Sequence, residues 1–232
     1  MRDRKLSRSK PAGKKMGAKK ATAVREAASR DRAVYLAAAW CLSYPDQDVL
    51  ERLPLIRSVL AEHPDAAEDF APVLAQLSSV PPMEVQARYV QEFDLGKRHA
   101  LHLSYWTDGD TRRRGEVLGI FKQVYRRSNF LVDTHGELPD YLPMVLEFAA
   151  RVDLDAGREL LIQYRPSLEM LRLGLLDDKL PHSLILRAIC DTLPGKSPAD
   201  QQAVMKMAGY GPPTESVGLE PYDPRLLPLA RS

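Results

Sequence analysis

The sequence predicts an all-α fold, a single bundle of eight or nine short helices. Three observations lead there. Apolar residues recur at three- and four-residue spacing, and no run alternates at period two. Leu, Ala, Glu, Arg and Met, all good helix formers, dominate. Eighteen prolines fall mainly between the apolar runs, where each one marks a boundary. The chain divides into a disordered basic tail (1–25), an all-helical domain (26–208) and an irregular Pro/Gly-rich tail (209–232).

The first helix is expected over Glu26–Ser43, with Ala27, Val34, Ala37, Ala38, Cys41 and Leu42 in its apolar stripe. Tyr44-Pro45 stops it, because a residue before proline avoids the helical region. Asp46 or Asp48 caps a second helix that runs to Glu62, and Pro54 kinks or splits it. A third covers Asp65–Ser78 and presents Phe70, Val73, Leu74 and Leu77. A fourth covers Met83–Phe93, with Val85, Tyr89 and Phe93 four residues apart. Residues 94–110 read as irregular.

The fifth helix spans Thr111–Ser128 and turns Val117, Leu118, Phe121, Val124 and Tyr125 inward, with Asn129 as its stop. The sixth covers Pro139–Val152, opened by Pro139 and bent by Pro143. The seventh covers Ala156–Leu176, bent at Pro166. The eighth covers Pro181–Thr192, and a ninth, opened by Ser197 or Pro198, runs to Ala208.

The net charge of +2 conceals two halves of opposite sign. Residues 1–25 carry about +9 and the remainder about −7 by simple count. An acidic body argues against nucleic acid as the main ligand. The two cysteines, Cys41 and Cys190, lie far apart in apolar runs and read as buried inert thiols. The longest apolar stretch, Tyr35–Leu42, is too short to cross a bilayer. The basic head has no apolar signal core, so a cytoplasmic protein is expected.

No phosphate loop, dinucleotide fingerprint, nucleophile elbow or paired-histidine zinc motif occurs. His99 and His102 lack the further ligands of a metal site and read as surface or hydrogen-bonded histidines. No catalytic residue, metal or cofactor is expected. Two segments depart from ordinary local rules. In Gly109–Gly115, GDTRRRG, Asp110 or Thr111 suits an N-cap, yet three arginines then fill a first turn whose dipole disfavours cations. In Glu137–Pro143, ELPDYLP, two prolines stand four residues apart. Broken rules close together point to a site. The arginines need carboxylates nearby, and Asp108, Asp110, Glu137, Asp140 and Glu147 are the candidates. Such a network either fixes the turn or borders a groove. In the groove reading, an amphipathic basic peptide lays its apolar face on Leu138 and Leu142 and its cations on Asp140 and Glu147.

The segments LSYPD (Leu42–Asp46), YVQEFD (Tyr89–Asp94), LHLSYWTDGDTRRRG (Leu101–Gly115) and ELPDYLPMVLEFAA (Glu137–Ala150) resemble the NarJ branch of the TorD-like redox-enzyme maturation chaperones, also called nitrate reductase delta subunits. A weaker likeness continues into GPPTESVGLEPYDP (Gly211–Pro224). The resemblance covers about residues 30–225 and leaves out the basic head. It implies an all-helical cytoplasmic chaperone, not an enzyme. Such proteins bind the N-terminal segment of the catalytic (alpha) subunit of respiratory nitrate reductase. They keep that apo-enzyme open while its molybdenum cofactor and iron–sulfur clusters are inserted, and they delay membrane docking.

The binding region implied by the resemblance falls on Tyr105, Asp110, Arg112, Arg113, Gly115, Glu137, Leu138, Pro139, Asp140, Leu142, Pro143 and Glu147. Two other classes compete with this one. One is a small all-α hydrolase or nucleotide-handling enzyme using Asp110, Glu137 and Glu147. The other is a nucleic-acid-binding regulator using the basic head. Monomer and dimer both fit the pattern.

Overall fold

The computed structural model describes residues 13–108, 114–130 and 136–208, with side chains from Lys20 onward. Among these residues there are twelve α-helices and no strand. They are α1 (Gly13–Cys41), α2 (Gln47–Glu51), α3 (Leu53–Leu60), α4 (Pro64–Ser79), α5 (Pro82–Tyr89), α6 (Tyr105–Asp108), α7 (Arg114–Arg127), α8 (Leu142–Arg151), α9 (Leu154–Gln163), α10 (Arg165–Asp177), α11 (His182–Asp191) and α12 (Gln201–Met207). A π turn (Val90–Asp94) continues α5, and a 3-10 turn covers Lys97–His99.

Prolines explain two of the three helices beyond the expected nine; the third is α6, a single turn within residues 94–110, which were expected to be irregular. A proline lacks the amide hydrogen that a first turn leaves unbonded anyway, so it starts a helix more readily than it continues one. Pro54, Pro64, Pro82, Pro143 and Pro166 each sit in the first turn of a helix. The second expected helix is therefore split at Arg52, and the seventh at Tyr164, where a bend at Pro166 was expected. Pro143 likewise opens α8 and does not bend it, so α8 starts at Leu142, three residues later than Pro139. Asp46 and Asp153 cap α2 and α9 through their carboxylates. For α12 the cap is Asp200, not the expected Ser197 or Pro198. Asn129 ends α7 in the left-handed region, at φ 54°, as expected of a stop residue.

The first helix begins at Gly13, within the stretch expected to be disordered. Nothing between Gly13 and Cys41 breaks it, and its Ala-rich composition favours helix. Residues 20–27 are exposed, and burial begins at Asp31. From there Ala33, Val34, Tyr35 and Ala37–Cys41 are buried around nearly the whole circumference, so this half of α1 is the centre of the bundle.

Helix α1 packs along α8 and also touches α11 and α3, while α10 packs against α11, α12 and α9. Val145, Leu146 and Phe148 of α8 are fully buried, each stabilising the fold by about 1.5–3 kcal/mol. Helices α8 and α9 pack closely at Gly157, where a Cβ would overlap Ala149. Charged side chains tie the periphery to this core. Arg158 bridges α9 to Asp31 at 2.8 Å, and Arg187 of α11 pairs with Asp69 of α4. Glu169, wholly buried, lies between Arg165 at 3.4 Å and Arg172 at 2.7 Å. These arginines also donate to the carbonyls of Gly195 and Pro198, which fixes the loop before α12.

Candidate functional site

The two segments with broken local rules lie side by side. Residues 101–103 run antiparallel to residues 140–142. Leu103 N donates to Asp140 O at 3.1 Å, Leu142 N donates to Leu101 O at 2.7 Å, and His102 is bridged to Tyr141. Tyr141 is extended at the start of α8, which lets residues 138–141 run along this neighbour before the helix begins.

Asp140 anchors the junction. Its Oδ2 accepts from Ser104 N at 3.0 Å and from Ser104 Oγ at 2.6 Å, and lies 3.6 Å from Arg114 Nη2. Arg114 also donates through Nε to Ser104 Oγ at 3.2 Å, and its guanidinium lies 6.0 Å from the Tyr105 ring centroid. A carboxylate therefore faces the arginine in the first turn of α7 and offsets the unfavourable dipole there. About three turns further along the same face of α7, Tyr125 donates its hydroxyl proton to Pro139 O at 2.6 Å.

This geometry sorts the residues expected to bind a peptide. Asp110, Arg112 and Arg113 lie outside the described residues, as does Thr111, the alternative N-cap. Gly115 is exposed on α7. Glu137 is about half exposed, with His102 Nε2 at 3.8 Å, and Leu138 is half-buried. Pro139 and Pro143 are buried, and Asp140 and Leu142 have no exposed surface at all. Glu147 points elsewhere, to Arg151 one turn along α8 at 3.1 Å.

The expected apolar floor of Leu138 and Leu142, edged by Asp140 and Glu147, therefore does not exist as one surface. Because α8 starts at Leu142, Asp140 and Leu142 face inward, toward Ser104 and the core, and Glu147 falls on a separate face. Glu137 lines the open cavity beside the junction, whereas Glu147, paired with Arg151, does not. His99 conforms to the hydrogen-bonded reading, while His102 is half-buried with Glu137 3.8 Å away. His99 is buried, with Nδ1 at 3.1 Å from Glu92 O and Nε2 at 3.0 Å from Asp178. No three His, Cys, Asp or Glu side chains among the described residues are placed to hold a metal ion.

An open cavity of about 560 Å³ lies beside the junction. Five aromatic residues line it: Tyr44, Tyr89, Phe93, Tyr105 and Tyr141. Asp94, Lys97, Arg114 and Glu137 supply its charge, and His102 also lines it. The rings hold one another. Tyr44 meets Tyr89 edge to face at 5.6 Å, Tyr89 packs on Phe93 at 4.9 Å, and His102 stands against Tyr141 at 5.5 Å. The Tyr89 hydroxyl bonds Leu42 O and the Tyr141 hydroxyl, each at 3.0 Å.

Burial raises the Tyr141 pKa to about 12 and raises that of Tyr89 further, and the nearby negative charges of Asp94 and Glu137 add to both. Both phenols stay protonated as donors. Burial also lowers the basicity of His102, with Asp140 opposing.

Of the expected residues that are described, then, only Tyr105 and Glu137 line this cavity. Tyr44, Tyr89, Phe93, Asp94, His102, Arg114 and Tyr141 were not among those expected to bind. All but His102 and Arg114 are aromatic or acidic residues of LSYPD, YVQEFD and ELPDYLP. The available signal was the tyrosine within each motif, which helical periodicity assigns to the core.

Residues 57–171 match the family model described as nitrate reductase delta subunit. Over 161 residues the chain is 40% identical to the "Nitrate reductase-like protein NarX" of Mycobacterium tuberculosis, covering 68% of this chain and 24% of that protein. It therefore spans about a quarter of the length of that relative. It is 35% identical over 137 residues to the "Probable nitrate reductase molybdenum cofactor assembly chaperone NarJ" of Bacillus subtilis, covering 58% of this chain and 74% of that one. The "Nitrate reductase molybdenum cofactor assembly chaperone NarJ" of Escherichia coli is 28% identical over 137 residues, 56% of each chain.

Proposed function

Since the chain belongs to the nitrate reductase delta subunit family, we propose that it is an assembly chaperone that binds the apo catalytic (alpha) subunit of nitrate reductase and supports insertion of its molybdenum cofactor. One observation carries this reading. Four separate motif segments, LSYPD, YVQEFD, LHLSYW and ELPDYLP, converge on a single open cavity walled by aromatic rings. Aromatic walls give a large contact area at low entropic cost, which suits a polypeptide segment. A cavity of this size takes a few side chains of such a segment, with the rest lying across its rim.

In this reading the chaperone works in the cytoplasm. It holds the N-terminal segment of the catalytic subunit in the groove, so that cofactor and iron–sulfur loading precede membrane docking. Tyr105 and Glu137 contact the segment directly, and Leu138 and Gly115 border it. Asp140, Leu142, Pro139 and Pro143 position those contacts from beneath. Release needs no hydrolysis. As the loaded client folds and withdraws its segment, the bound population falls.

The test is to isolate the tagged chain from cells respiring nitrate and measure molybdenum in the catalytic subunit that accompanies it. The expected result is a molybdenum-free catalytic subunit, and deletion of the chaperone should leave that subunit inactive and metal-poor. A fully loaded, active enzyme in the deletion strain overturns the proposal.

A further inference from the structure

The groove carries both signs of charge, but its charges are not equally available. Arg114 is engaged with Asp140 at 3.6 Å, with Ser104 at 3.2 Å and with the Tyr105 ring at 6.0 Å. Lys97 is engaged in an interaction of its own. On the opposite side, Asp94 is exposed and makes no ion pair with any described residue. The nearest cationic candidate to Glu137 is His102, at 3.8 Å, whose burial keeps it neutral near neutral pH. Both carboxylates line the same cavity as Tyr89 and Tyr141, whose hydroxyls are 3.0 Å apart. The Tyr44 ring, 42% exposed, stands edge to face against Tyr89 at the same place.

Resting on the reading of the groove as the client site, we propose that this corner is a guanidinium subsite, in which an arginine of the bound segment lies on the Tyr44 and Tyr141 rings with Asp94 and Glu137 closing on its edges. Aromatic faces attract a cation, and a planar guanidinium stacks on them while its edge donates to carboxylates. Among the described residues neither carboxylate has a strong cation partner, which leaves the corner negative until such a group arrives. Asp94 and Glu137 are thus specificity-determining residues. They select where along an apolar segment an arginine must fall, while the aromatic wall supplies contact area without sequence preference.

The experiment uses the full chain and three synthetic amphipathic peptides, identical except for one position that is Arg, Gln or Glu. Affinities are measured by calorimetry for the wild type, for Asp94→Asn/Glu137→Gln and for Asp94→Lys/Glu137→Lys. Both residues are substantially exposed, so the fold should survive, and circular dichroism checks this. The wild type should bind the Arg peptide roughly tenfold more tightly than the Gln peptide, with the Glu peptide weakest. The neutral pair should erase that order and the Lys pair should invert it. Equal affinities in the wild type, an Arg preference that survives in the Lys pair, or no binding of any peptide overturns the subsite. The chaperone reading is judged separately, by whether the wild-type chain accompanies the molybdenum-free catalytic subunit. Retention of that subunit alongside absent arginine selectivity rejects the subsite alone.

Discussion

Asp140 and Ser104, thirty-six residues apart, form a two-point contact: one carboxylate oxygen accepts from both the amide and the hydroxyl of the serine, at 3.0 and 2.6 Å. The contact is fully buried and joins the segment before α6 to the segment before α8. It also presents negative charge to Arg114. Removing one member of such a set leaves buried polar groups without partners. Asp140→Ala should therefore lower unfolding free energy by about 3 kcal/mol or more, measured by urea denaturation. Asp140→Asn, which keeps an acceptor for Ser104, should cost less. A change below about 0.5 kcal/mol for the alanine variant would show that the contact does not hold the junction.

Leu142 and Glu147 share α8 but face different surroundings. Leu142→Ala removes a wholly buried side chain and should cost about 2–5 kcal/mol. Glu147→Ala removes only an exposed pair with Arg151 and should change stability by less than about 0.5 kcal/mol. It should also leave affinity for the client segment unchanged. Lost affinity in Glu147→Ala would return that residue to the binding surface.

Gly157 sets the distance between α8 and α9. A methyl group there would overlap both the side chain and backbone of Ala149. Alanine is the better helix former, so an unobstructed site would gain stability. Here overlap prevails, and Gly157→Ala should cost about 1–3 kcal/mol, read as a lowered urea midpoint. An unchanged or raised midpoint would mean that the helices separate without penalty.

His182 makes stability depend on pH. Burial, with His99 adding to it, pushes its pKa down to about 4 from 6.5. The unfolded chain takes up a proton near pH 6.5 that the folded chain refuses until about 4. Stability from this residue is therefore complete above 6.5 and falls as pH drops toward 4, by up to about 3 kcal/mol. Glu92, 4.0 Å away, has its pKa raised by burial, and its effect runs the opposite way. His182→Gln should flatten the slope of unfolding free energy between pH 4 and 6.5. An unchanged slope would assign it to other groups.

Cys41 and Cys190 should be silent toward thiol reagents in the native state. Both are buried, and desolvation raises the Cys41 pKa to about 12 and that of Cys190 further. Thiolate is the reactive form. Colorimetric titration should count no thiol in buffer and two in denaturant. Prompt reaction of either in buffer would reveal opening of the core.

Much of the fold was legible in the chain. The central stripe of α1, the cap at Asp46, the inward faces of α4 and α7 and the stop at Asn129 all follow from local rules: apolar spacing, a short side-chain acceptor and a tolerance for positive φ. Those rules act over three or four residues, so they can be read without the rest of the molecule. The prolines were legible as punctuation, but their grammar was not. Whether Pro54, Pro143 or Pro166 bends a helix or begins one depends on where the neighbouring chain can accept a break.

The motif segments were likewise identified from sequence as the place to look. Which of their side chains face inward was decided by pairing across long separations. Leu142 bonds Leu101, and Asp140 bonds Ser104. That pairing sets the register in which α8 begins, so the buried acid and leucine support the groove while the motif tyrosines form its wall. Composition and periodicity thus determined the all-α class and most helix positions, because each is a sum of local preferences. Only the tertiary structure chose the surface, because exposure depends on which distant segment covers a residue.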